Sequence, residues 1–205
     1  MAKEDKLKSR TAILAAAIKL FSQQGFNGTS YAAIAKQAQQ SKALVQYHFD
    51  NKETLWKESV TAIWAQRNQS MTDYLGEDLL DPAHDQPKDH MVRQLCKGLI
   101  LFTIDNPEWV KILYQEAAIP GPRLDWMIDT FLKQDLEQGN ELVTLAQSLE
   151  LLPKIEPMSM LYILIGALIH YVNVAPVVSR VFNKDMFSDE QIDHFVNNFI
   201  LLLEP

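Results

Sequence analysis

The chain has 205 residues and a mass of 23.4 kDa, enough for two modest domains or one larger one, and 47% of it is hydrophobic, so it can bury a sizeable core. Its net charge of −7 excludes a uniformly basic polyanion binder, and its single cysteine, Cys96, excludes an internal disulfide framework and fits a reducing cytoplasm. The charged N-terminus lacks an apolar core followed by a cleavage site, so no signal peptide and a cytoplasmic location are expected.

In chain order, Ile13, Ala17, Leu20 and Phe21 recur at helical spacing and predict an amphipathic helix from about Ser9 to Gln24. Gly25 stops it, because glycine takes a positive φ without a Cβ penalty, and Phe26 folds back as the apolar contact. Thr29 or Ser30 caps a second helix with Ile34, Ala35 and Ala38 inward, the alanines permitting close approach. Gln39 and Gln40 form a turn, and Ser41 caps a third helix from Lys42 to about Phe49. Asp50 and Glu53 have capping-box spacing for a helix running from Asn51. Two short helices across a tight turn make a helix-turn-helix, whose second helix can enter the major groove of DNA.

Charge is segregated to match. Residues 1–60 hold nine Lys/Arg against five acids, net +4, while the remainder holds ten against twenty-one, net −11. A basic first third would face DNA and an acidic body would turn away from it. Lys6, Lys8 and Arg10 fit a phosphate-contacting arm or a solvated terminus.

The segments GFNGTS, IAKQA, SKALVQYHF and NKETL resemble the N-terminal DNA-binding domain of the TetR family of bacterial transcriptional regulators, over roughly the first sixty residues. The resemblance implies an all-α protein: a three-helix DNA-binding domain over 1–52, then a larger helical effector-binding and dimerisation domain over 53–205. It implies phosphate contacts from Thr29, Tyr47 and Lys52, with Ser30 at the same edge, and base-edge contacts from the stretch Ser41 to His48, chiefly Lys42, Ala43, Gln46 and His48. Three places depart from the family pattern. Gln39 and Gln40 stand where a glycine and a small apolar residue are common, Ala43 replaces a frequent glycine, and Gln46 a frequent tyrosine. Gln39 would carry modest strain if its φ is positive. Gln46 can pair bidentately with an adenine edge.

Further helices are predicted from about Lys57 to Tyr74, Asp89 to Ile104, Pro107 to Ala118 and Pro122 to Leu149, with a sharp turn at Pro120-Gly121-Pro122. The loop GEDLLDPAHDQPKD carries His84, Asp85 and Asp89, with His90 next in the chain, but no zinc or calcium spacing, so no metal and no cofactor are expected. Met158 to Val178 approaches a membrane span in length, yet contains His170 and Asn173 and ends at Pro176. A helix buried on most of its surface, in the core or at a subunit interface, is the better reading, with no membrane partner. Met158, Leu161, Ile165, Leu168 and Val172 line one side, and Gly166 and Ala167 permit close approach. Asp189 to Leu203 places Ile192, Phe195, Val196, Phe199, Leu202 and Leu203 at helical spacing. By the resemblance, residues near 157–182 and 189–203 form a homodimer interface.

Candidate effector-lining residues are Trp64, Phe102, Trp109, Tyr114, Trp126, Phe131, Tyr162, His170 and Asn173; for each, ordinary core packing competes, and His170 is expected to be a buried, satisfied histidine. Aromatics beside Glu116, Asp125 or Asp129 would suit a cationic amphipathic ligand, and an uncharged cavity a fatty-acyl or aromatic one. No catalytic constellation emerges: there is no phosphate-binding glycine loop, Cys96 stands alone, and the five histidines are scattered. The expected function is a ligand-responsive repressor that binds a palindromic double-stranded operator as a homodimer and is released by a small, mostly apolar effector. The competing reading is a helical protein-interaction module.

Overall fold

The structure, a computed structural model, describes residues 2–75 and 90–203. Every regular element among them is a helix: α1 (Ala2–Gly28), α2 (Tyr31–Gln37), α3 (Lys42–His48), α4 (Lys52–Leu75), α5 (His90–Asp105), α6 (Glu108–Ala118), α7 (Pro122–Met127), α8 (Lys133–Ser148), α9 (Pro157–Phe182) and α10 (Asp189–Leu201). They fall into two compact units, one of residues 1–67 and 107–125, the other of residues 68–106 and 126–205.

In the first unit α1 packs on α2, α3 and α6. Its core is Ile13, Ala17, Leu20 and Phe21 of α1 with Ile34, Val45, Phe49, Leu55, Trp56 and Val60. The predicted start of α1 at Ser9 was too late. The helix reaches back to Ala2, because Lys6, Ser9 and Arg10 have partners on α3 and α4 that hold the extra turns down. Gly25 breaks it as expected, with φ 69° and ψ 175°. α6 is bound in by Gln115, whose Nε2 donates to the Ser22 carbonyl at 2.8 Å.

One cap is settled and another corrected by one residue. Of Thr29 and Ser30, it is Ser30 that caps α2, accepting from Ala33 N–H at 3.2 Å. Asn51, not Asp50, caps α4, its Oδ1 accepting from Thr54 N–H at 2.8 Å, a reach that places the first helical residue at Lys52. Ser41 caps α3 as predicted, accepting from Leu44 N–H at 3.1 Å.

The helix-turn-helix turn is a Schellman motif. Gln40 N–H donates to Ala35 O at 2.9 Å and Gln39 N–H to Lys36 O at 3.2 Å, with Gln39 at φ 54°. The predicted strain is therefore present. Glu150, at φ 58°, ends α8 with the same pair of bonds, Leu151 N–H to Ala146 O and Glu150 N–H to Gln147 O.

In the second unit α5 packs on α9 and α10, and α8 on α9. Val92, Cys96 and Ile100 of α5 meet Met160, Leu161, Leu168 and Val172 of α9 and Ile192, Val196, Phe199 and Ile200 of α10. Tyr171 stacks on Phe195 at 4.3 Å between centroids, and Phe195 on Phe199 at 5.8 Å. The predicted single helix over 122–149 contains a π-helical turn, Ile128–Leu132, where the Thr130 hydroxyl donates to the Trp126 carbonyl at 2.6 Å and competes with the regular ladder. α9 does not end at Pro176 but continues to Phe182, with the proline exposed inside it.

Burial along α9 differs from the sequence expectation as well. Its inward side holds as read, but Tyr162, Ile163, Val177, Val181 and Phe182 are exposed within the chain, as are Leu201 and Leu202 at the end of α10. A helix apolar all round gives no sign in sequence of which side the chain itself covers. By length and composition α9 could cross a membrane, with mean hydropathy 1.9, and 28% of its most apolar window is buried.

Candidate nucleic-acid interface

The candidate recognition surface is built from α3. Val45 and Phe49 anchor the helix in the core, which turns Lys42, Ala43, Gln46 and Tyr47 outward. Residues 42 and 46, and 43 and 47, are four apart and share that outer face. Tyr47 is 67% exposed, a large aromatic held at the surface with the His48 ring edge-on at 5.4 Å between centroids. Its hydroxyl accepts from Lys6 Nζ at 3.2 Å, and the same ammonium lies 4.9 Å from the ring centroid. One cation and one hydroxyl of different helices thus meet at one end of the exposed face.

The remaining predicted residues are more committed. His48 is half-buried, with Nε2 2.9 Å from Ser9 Oγ, and its pKa lies below the usual histidine value through burial, then Lys6, then Arg10. Thr29 is buried, its hydroxyl donating to the Gly25 carbonyl at 2.8 Å, so it braces the loop before α2. Ser30 and Ser41 are exposed but serve as caps. Arg10 pairs with Glu58 and lies 5.1 Å from the Phe49 centroid, which fixes α1 against α3 and α4.

Lys52 opens α4 with its ammonium 4.4 Å from the Phe26 centroid. Its pKa is lowered by burial and then by Arg123. Sequence reasoning missed Arg123, which lies 4.2 Å from the same ring and donates through Nε to both oxygens of buried Glu116, at 3.0 and 3.1 Å. Glu116, one of three acids that would suit a cationic ligand by sequence, is in an internal ion pair with Arg123. No local signal in the chain links residue 26 to residue 123.

The effector candidates divide by burial. Trp64, Phe102 and Trp109 are buried, and Trp126 and Phe131 are half-buried and edge to face at 5.5 Å. Tyr114 and Tyr162 are exposed. So is Asn173, whose side chain donates to Ile169 O at 2.9 Å. His170, expected to be buried, is exposed on α9, on the side turned away from Leu168 and Val172. Of the predicted acidic-loop cluster, His84, Asp85 and Asp89 lie outside the described residues, and His90 is the first residue of α5.

The family model described as bacterial regulatory proteins, tetR family, matches residues 13–58, the stretch that carries α2, α3 and their caps. Over that stretch the chain is similar to the DNA-binding segment of the TetR family. Among curated relatives, the HTH-type transcriptional repressor NicS of Pseudomonas putida is 32% identical over 114 residues, 56% of this chain and 50% of NicS. The biofilm operon icaADBC HTH-type negative transcriptional regulator IcaR of Staphylococcus epidermidis is 44% identical over 105 residues, 51% of each chain. The chain thus spans about half the length of these curated TetR-type relatives. Over the whole fold it is similar to AibR, solved in complex with isovaleryl coenzyme A and operator DNA, with TM-score 0.64, 21% identity, and 96% of this chain and 98% of that one covered.

Proposed function

We propose that this chain is a ligand-responsive repressor of the TetR type that binds a roughly palindromic operator as a homodimer. The observation that carries the reading is the outer face of α3, where Lys42, Ala43, Gln46 and Tyr47 stand clear of the core on a helix capped and anchored from behind. Phosphate contacts from Tyr47, Lys6 and Lys52 set affinity and register; Gln46 and Lys42 read base edges. Thr29 and His48 brace the motif. NicS and IcaR, both named as negative regulators, support repression as the outcome.

The homodimer reading rests on the exposed apolar side chains of α9 and α10, from Tyr162 and Ile163 to Phe182 and Leu202. A second copy covering them would make one symmetric interface, and a two-fold dimer is what paired half-sites about one helical turn apart require. Gly166 has open space around its Cα in the single chain, room that a partner helix would use. The effector is proposed to be small and mostly apolar, bound in the second unit near Phe102, Trp126 and Phe131. α4, one continuous helix from Lys52 to Leu75, is the proposed lever. The coupling between the two sites would be about 1–3 kcal/mol.

The test is fluorescence anisotropy with labelled duplexes tiling the DNA upstream of the chain's own gene, across about 50–200 mM salt, where phosphate-driven binding changes steeply. Tight saturation of one duplex over its neighbours is expected. No binding of any duplex at low salt would overturn the reading and favour an interaction module.

A further inference from the structure

Lys52 and Arg123 meet on one aromatic ring. Phe26 stands just past the break at Gly25, stacked on Phe21 at 6.1 Å between centroids and edge-on to Trp56 at 6.5 Å. The Lys52 ammonium lies 4.4 Å from its centroid and the Arg123 guanidinium 4.2 Å, with Arg123 also 5.7 Å from Trp56. The two cations are unequal. Glu116 is 5% exposed, and its carboxylate receives Arg123 Nε on both oxygens, so Arg123 is anchored by a buried charge that would otherwise be unpaired. Lys52 has a flexible stem and a compact, strongly hydrated head, and only the ring seat holds it.

We infer that Arg123 is a positioning residue for Lys52: anchored on Glu116, it clamps the Phe26 ring as the platform from which the Lys52 ammonium reaches a DNA phosphate. This deepens the proposed function and rests on it for the phosphate. The arrangement makes a charge near the start of α7 part of the DNA-binding surface although it touches no DNA. It also gives the region after α6 a direct means of altering affinity: movement of Arg123 off the ring unseats Lys52.

The experiment has one readout without DNA and one with it. Reductive methylation with 13C-formaldehyde leaves lysines charged and gives each a methyl signal; the Lys52 signal is assigned by its loss in Lys52→Arg. In the wild type it is expected upfield of exposed Lys36 and Lys42, through the ring current of Phe26. In Arg123→Gln, and in Glu116→Gln/Arg123→Gln, which leaves no buried charge unpaired and so guards against misfolding, it should move to the position of those exposed lysines. Arg123→Lys, with a charge but no planar face, should restore it only in part. On duplex DNA, Arg123→Gln should flatten the salt slope by about 0.9, one phosphate contact, as Lys52→Ala does, and Lys52→Ala/Arg123→Gln should lose no more than either alone. An unmoved Lys52 signal, or additive losses of slope, would overturn the inference. If the wild type binds no duplex, the regulator reading fails, and the methyl signal alone decides the link between Arg123 and Lys52.

Discussion

Replacing Gln39 by glycine should stabilise the protein by about 0.5–1 kcal/mol. Gln39 is exposed and sits at φ 54° in the turn between α2 and α3, where its N–H and that of Gln40 close the Schellman bonds. An L-residue in that region costs about 1–2 kcal/mol. Glycine removes that cost and returns about 0.5–1 kcal/mol through the greater freedom of its unfolded chain, so the net gain is smaller than the strain. Both backbone bonds survive the change, and an exposed side chain takes little packing with it. Urea denaturation at fixed protein concentration, followed by tryptophan fluorescence, should show the midpoint rise by about 0.2–0.5 M with an unchanged slope. Gln39→Ala, which keeps the Cβ, should change nothing, and Asn183→Gly should gain little at φ 50°, because asparagine already tolerates the left-handed region. A lower midpoint for Gln39→Gly, or an equal rise for Gln39→Ala, would refute the strain argument.

Gln46→Ala should weaken binding to the preferred operator by about 1–3 kcal/mol while leaving binding to unrelated duplexes nearly unchanged, as competition anisotropy would show; an equal loss on all sequences would remove its base-reading role. Gly166→Leu should shift the chain toward monomer in light scattering coupled to size exclusion, since the side chain has room in one copy and would fill the space a second copy needs; an unchanged mass would place the dimer elsewhere. Cys96 is buried, and burial pushes its thiol up to about 12, so it should resist a disulfide reagent at pH 8 until denaturant is added. Fast reaction of the native protein would show that α5 opens readily.

The DNA-binding motif was legible because its signals are local. Gly25, Ser30 and Ser41 each act within a few residues of themselves, and the Val45 and Phe49 anchors follow from helical spacing. The cap of α4 was misplaced by one because Asp50 and Asn51 are both good caps, and only the reach of Asn51 Oδ1 to Thr54 decides between them. The Phe26, Lys52, Glu116 and Arg123 cluster was invisible because its members come from four segments with no shared periodicity. The outward side of α9 was unreadable for another reason: on a helix with Ile, Val, Leu and Tyr all round, hydrophobic pattern has no phase, and His170 was assigned inward by the company it keeps.

The bond from Gln115 to Ser22, with α6 packed along α1, bears on how such proteins can be recombined. The unit that carries the recognition helix is discontinuous in sequence, its second piece arriving forty residues after the first, from 107 to 125. A graft that exchanges residues 1–67 with those of a relative would set a foreign α1 against a native α6 and part Arg123 from the ring of Phe26. Chimeras meant to redirect operator choice should therefore transplant both pieces together.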